Sequence, residues 1–435
     1  MRIAMIMVII GSMGGVALSD PAPHEPHEPT VTREESAWLE EAASVAATNV
    51  TAAITALEAR RGEQVSAAVD YVIGNLHYQA GNEEEARAAY KEALRKMPAF
   101  RSARVNLARL YLLGDEPQEA MPLLRDIAEE GTGDADTYLL LGHALLLTDA
   151  FVSAESAYRQ SLMLRPRDMD ALIGLLRALL PQGRVEEILS LTRELLELEP
   201  DRAELWSVQA NALIELERYD EAAAALDSAR RLGVADADML ATLGDLHLDG
   251  GRPEDAMAMY TLAFAGDQPS VSRMLRAAEN FILLDEEEGA DRMVLALEEI
   301  RRAEPSRVEG DAYRTLLRIQ GDLALLRGDD EQALDRFQAL LREDPLNGRV
   351  LLRVADLYRV SDRLEEAVLM CERAARVSAV QREAYMLQGQ IEVQREAYAR
   401  AVPLLESAYA LEASDTLLRY LEQVRRLRDL AAQRD

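Results

Sequence analysis

One position in this chain carries a polar or charged residue every 34 residues: Asn75, Arg109, His143, Arg177, Asn211, Asp245 and Glu279, then, after a shift of nine, Asp322, Asp356 and Gln390. The first half of that column offers amides and cations and the second offers carboxylates, so it is equipped to read charge along a ligand. Four residues earlier, one helical turn away on the same face, stand Tyr71, Val105, Leu139, Ile173, Ser207, Ala241, Leu275, Arg318, Leu352 and Met386. That row is mostly apolar. Its charged exception, Arg318, is placed to pair with Asp322 within its own helix. An apolar floor beside ordered polar groups suits an extended peptide or a partner helix; the alternative is that these residues pack on a neighbouring element or form a solvated face.

Bond-breaking chemistry lacks parts. Of five histidines, His24 and His27 lie in a proline-rich stretch, while His77 and His247 occupy a column held elsewhere by Tyr111, Leu145 and Phe281, which makes them packing residues. There is no HExxH zinc motif, phosphate-cradling glycine loop or nucleophile elbow. With 77 acidic residues, carboxylate spacing alone carries no information. The single cysteine, Cys371, excludes an intramolecular disulfide and a cysteine-based zinc site, and reads as a small buried hydrophobe. No cofactor and no metal are expected, and the chain reads as a non-enzyme. A formal net charge of −29 excludes nucleic acid and an anionic lipid surface as partners and keeps the molecule soluble.

The elements that position the polar column are legible from small residues. Gly74, Ala108, Gly142, Leu176, Ala210, Gly244 and Ala278 repeat at 34, and Ala86, Ala120, Ala154, Ile188, Ala222, Ala256 and Ala290 follow twelve residues behind. A third series is Pro98, Pro166 and Pro200, read as fixing the entry of the next helix. Such a period marks stacked helix pairs, each burying its apolar face only against its neighbours. Gly81-Asn82, Gly114-Asp115, Gly183-Arg184, Gly250-Gly251 and Gly328-Asp329 supply the turns within pairs. The register breaks once, by nine residues between Ala290 and Gly321. Residues 295–303 are expected to lengthen one helix there, as a hinge or without consequence.

In period and residue type the pairs resemble the tetratricopeptide repeat family over about four-fifths of the chain. The residues that carry the likeness are Gly74, Ala86, Tyr90, Ala93 and Pro98 in one unit, Tyr138, Leu141, Gly142, Ala154, Tyr158 and Pro166 in another, and Trp206, Leu213, Ala222 and Ala229 in a third. The resemblance implies an all-α, right-handed superhelical solenoid whose first helices line a concave groove. It also implies a groove set of Tyr71, Asn75, Asn106, Arg109, His143, Arg177, Asn211, Asp245, Glu279, Asp322 and Asp356. One subclass of the family grips a terminal carboxylate with lysine and asparagine; Asn75 and Asn106 match, but Tyr71 replaces the lysine, so the clamp is incomplete.

The expected organisation is a signal peptide at 1–19, a Pro/His/Glu-rich linker at 20–32, a degenerate capping repeat at 33–62, about ten repeats over 63–413 and a capping helix at 414–435. Arg2, the apolar run at 3–10 and the small residues before Ser19 have the layout of an export signal. The run is short for a membrane span, so membrane contact is expected only through this segment if it stays uncleaved. Thr30 or Thr32 caps the first helix, and Ala52, Ala53 and Leu57 share a face of the second, with Ala52 lying 34 residues before Ala86. The expected function is a protein-binding scaffold of a bacterial envelope, exported and periplasmic or secreted, holding a protein or peptide in its groove. The alternatives are a periplasmic carrier for secreted chains and an accessory subunit of a polysaccharide synthesis or export machine.

Overall fold

The computed structural model describes residues 28–266 and 268–433, and among these every regular element is helical. The expected signal segment and most of the linker lie outside the described residues. Two compact units are present, Met1–Glu217 and Arg218–Asp435. Unit 1 holds α1 (Arg33–Ala46) and α2 (Val50–Glu58), then the pairs α3 (Ala67–Ala80) and α4 (Glu83–Lys96), α5 (Arg101–Leu113) and α6 (Pro117–Glu129), α7 (Ala135–Leu146) and α8 (Phe151–Leu164), α9 (Met169–Leu179) and α10 (Val185–Leu198), and finally α11 (Ala203–Glu215). Unit 2 begins at α12 (Tyr219–Leu232) and continues with α13 (Ala237–Asp249) and α14 (Pro253–Ala263), α15 (Val271–Leu283) and α16 (Glu287–Ala303), α17 (Asp311–Leu326) and α18 (Asp330–Glu343), α19 (Gly348–Val360) and α20 (Leu364–Ala374), α21 (Gln381–Gln394) and α22 (Tyr398–Leu411), and the closing helix α23 (Asp415–Ala431).

Capping chemistry sets where many helices start. Thr32 and Glu35 form a reciprocal capping box at α1, and Ser66, Asp134, Asp168, Asp236, Asn347 and Ser414 each place a side-chain oxygen on a first-turn amide. The proline series works at the other end. Pro98, Pro166, Pro200 and Pro345 each lie two residues past the end of α4, α8, α10 and α18, and the residue before each has left the helical region. They stop the preceding helix instead of starting the next, because the residue before proline is pushed out of the helical region.

The turn inside each pair has one left-handed residue: Gly81, Asp115, Asp149, Gly183, Glu217, Gly251, Asp285, Gly328, Asp362 and Glu396, with φ between 57° and 81°. At the second turn the expected glycine is not the one used, since Gly114 has φ −85° and Asp115 takes the left-handed place.

Close helix approach explains the small residues. A Cβ on Gly74, Gly142, Gly244 or Gly321 would come within 2.8 Å of the ring of Tyr90, Tyr158, Tyr260 or Phe337. The alanine column behind it, from Ala86 to Ala401, is fully buried at every alanine position. The N-terminal pair departs from this register: Ala53 and Leu57 are buried but Ala52 is exposed, so the expected 34-residue match to Ala86 slips by one. In this pair Ala53 and Leu57 of α2 pack with Leu39, Ala42 and Ala46 of α1 and with Val69 and Ile73 of α3.

The nine-residue shift is shared out. Helix α16 has 17 residues against 14 in α4, α17 has 16 against 13 in α5, and the connection between them takes the rest, including a short 3-10 turn at Pro305–Arg307. The expectation that 295–303 absorbs all of it is therefore only partly met. Leu297 and Val308 are buried within the same apolar layer as Ala278 and Leu316, so packing continues through the shift.

Candidate peptide-binding groove

In unit 1 the first helices α5 and α7, and α7 and α9, pack on one another, which brings their polar columns onto one face. At its N-terminal end the two asparagines that match the clamp interlock with Tyr71, which stands in place of its lysine. Asn106 Nδ2 donates to Tyr71 Oη at 3.1 Å and to Asn75 Oδ1 at 2.9 Å, and Tyr90 Oη donates to the same Asn75 oxygen at 2.7 Å. Tyr71 also packs, with its ring tilted, against Phe100 and Tyr90, with ring centroids 5.0 and 5.8 Å away. Burial raises the Tyr71 phenol above its ordinary range, so it remains a neutral hydroxyl. These side chains form a braced floor, and Asn75 Nδ2 is left as a buried donor with no partner among the described residues.

The basic residues stand apart from that floor. Arg177 and His143 are exposed and Arg109 is half-buried, and among the described residues neither Arg109 nor Arg177 has a hydrogen bond or ion pair. His143 lies low enough in the groove for desolvation, and then the charge of Arg177, to hold its imidazole below the ordinary histidine range. Val105, Leu139 and Ile173 are half-buried beside this row. Asn211, on α11, is exposed.

Two kinds of groove residue escape the original columns. Ser102 lies one turn before Asn106, and Leu113 and Leu147 lie one turn after Arg109 and His143, exposed by 59% and 43%. The same helical arithmetic that found the polar column reaches all three. Leu113 beside Arg109 and Leu147 beside His143 let the face take apolar as well as acidic side chains.

Unit 2 corrects the expectation of an open acidic surface. Arg273 on α15 pairs with Asp245 on α13 at 3.3 Å, Arg318 on α17 with Glu279 on α15, and Arg353 on α19 with Asp322 on α17 at 3.5 Å. Arg318 also reaches Asp322 in its own helix at 3.2 Å, as expected, and Asp356 is met by Arg359 at 2.7 Å. Asp245 further accepts from Tyr260 Oη at 2.5 Å, and burial raises its carboxyl above the ordinary range. Each carboxylate of the column is thus neutralised within the unit.

Elsewhere, His77 is buried against Glu58 and Asn82, as a packing residue. Cys371 is fully buried and its thiol is pushed up to about 12 by burial, so it is inert.

Two family models, both described as tetratricopeptide repeat, match this chain: one at 77–144, the other at 43–99, 207–269 and 320–379, together just over half of its length. The chain belongs to the tetratricopeptide repeat family. Among curated proteins, this repeat protein is 28% identical over 138 residues to the human protein O-mannosyl-transferase TMTC1, an alignment covering 31% of this chain and 16% of that one. It is 28% identical over 287 residues to a TPR repeat-containing protein of Treponema pallidum (strain Nichols), covering 65% and 32%. The chain thus spans less than a third of either relative. A solved structure of Pseudomonas aeruginosa pilF is 16% identical, covering 51% of this chain and 96% of that one with a TM-score of 0.37.

Proposed function

We propose that this tetratricopeptide-repeat chain is a non-enzymatic protein-binding scaffold, and that its unit-1 groove holds an extended acidic segment of a partner protein. The observation that carries the reading is the contrast in charge pairing. Along one column Asp245, Glu279, Asp322 and Asp356 are all met by arginine, whereas Arg109 and Arg177 have no ion pair among the described residues. Unspent guanidinium groups above an apolar floor favour carboxylates held bidentately. The export layout around Arg2 and Ser19 supports reading the scaffold as exported into a bacterial envelope, periplasmic or secreted.

The test is titration with a fluorescent peptide of four Leu-Glu-Pro units, using Leu-Lys-Pro as the charge control. Reversing Arg109 and Arg177 to glutamate is expected to weaken binding by about 1–3 kcal/mol at low salt, and by less as salt screens exposed charges. Affinity that survives the double reversal at low salt rejects this groove as the site.

A further inference from the structure

The N-terminal mouth of the same groove is crossed by the chain itself. Glu28 Oε1 accepts from Ser102 Oγ at 2.6 Å and from the Ser102 amide at 3.3 Å, and Thr30 O accepts from Ser66 Oγ at 3.1 Å. An irregular run, Glu28 to Val31, therefore passes from the first turn of α5 to the start of α3. Val31 anchors its end on the apolar cluster of α1, α2 and α3. Beneath the run lies an open cleft of about 560 Å³ lined by Pro29, Thr30, Val65, Ser66, Lys96 and Met97. The hold on the groove is thus a few polar contacts and little apolar packing. Ser102 is one turn from Asn106 on the groove face, and Tyr71 feels the charges of both Glu28 and Arg109.

We propose that Glu28-Pro29 is a built-in occupant of the unit-1 groove, a carboxylate on an irregular segment that an incoming acidic partner must displace from Ser102. This rests on the reading of that groove as a site for acidic segments, and it adds that the site is partly closed in the free chain. The physics is a competition: if the competent form is a fraction of the population, apparent affinity falls by that fraction. Exposed charge-assisted contacts of this kind hold weakly, so the occupant regulates binding without preventing it.

The experiment uses the full chain and the Leu-Glu-Pro probe. Glu28→Gln is expected to tighten binding by about three- to tenfold, the inverse of a competent fraction between roughly a third and a tenth, with no loss of thermal stability. An unlabelled peptide of residues 25–32 added in trans should compete with the probe, and the same peptide carrying Gln in place of Glu28 should compete less. If Glu28→Gln leaves affinity unchanged while the Arg109 and Arg177 reversals weaken it, the occupant is rejected and the groove reading stands. If neither change affects the probe, both are rejected.

Discussion

His143 is where the groove meets pH. Desolvation and Arg177 keep its imidazole below the ordinary range, so in the free chain it is neutral at pH 7. A carboxylate seated beside it offsets the repulsion from Arg177 and raises the pKa of the bound form. Binding then takes up a proton, and by linkage affinity rises as pH falls below about 6.5, levelling once the free imidazole is also protonated. Affinity for the Leu-Glu-Pro peptide should increase about three- to tenfold across that window, since one unit of pKa difference corresponds to tenfold. His143→Gln should flatten the profile and leave affinity at pH 8 nearly unchanged. Parallel pH profiles for the two proteins would mean that no carboxylate lies against His143.

The shift between α16 and α17 behaves as a splint, and the reason lies in the helix ends. The guanidinium of Arg301, in the last turn of α16, sits 3.7 Å from the ring centroid of Tyr313 in the first turn of α17. Gln320 donates to Glu298 at 2.6 Å further along the same pair. Tyr313→Ala should cost about 1–2 kcal/mol through the lost cation–π contact together with the apolar packing of the half-buried ring and speed hydrogen exchange at the end of α16 and the start of α17. Unchanged exchange there would make the added turns dispensable. The existence of this insertion was legible in the sequence because Gly321, Ala333 and Pro345 resume the period, yet its division between two helices and a connection was not, since no residue type marks how far a helix overruns. The same limit applies to the turns: Gly114 and Asp115 are adjacent, and backbone geometry alone decides which goes left-handed. Ser102 and Leu113 were within reach of the column arithmetic. Of the arginines that neutralise unit 2, Arg318 is legible as the partner of Asp322 one turn on, but its reach to Glu279 and the pairings of Arg273 and Arg353 are not, because these long side chains cross to a neighbouring first helix, which spacing along one helix does not report.

At the scale of the molecule, a stack of helix pairs has nearest-neighbour coupling and little else, so damage should stay local. The sharpest place to test this is the buried charge cluster that joins the N-terminal pair to the first repeat. Asp70 is fully buried, with Arg61 Nε at 2.7 Å and Lys96 Nζ at 2.5 Å, and Lys96 also donates to the carbonyls of Gly62 at 2.8 Å and Val65 at 3.1 Å. All three ammonium hydrogens are spent in different directions, which a planar guanidinium cannot reproduce. That explains a lysine here in a chain with only two of them among 48 basic residues. Lys96→Met leaves Asp70 with one cation, and breaking a buried pair costs about 3–5 kcal/mol, towards the low end because Arg61 remains. Lys96→Arg should restore only part of that despite keeping the charge. Hydrogen exchange should quicken through α1 to α4 in both variants and stay at its original rate in α19 to α22. Loss of protection across α19 to α22 would show that the stack unfolds as one cooperative body, and equal stability of the arginine variant and the parent would show that charge alone holds the joint.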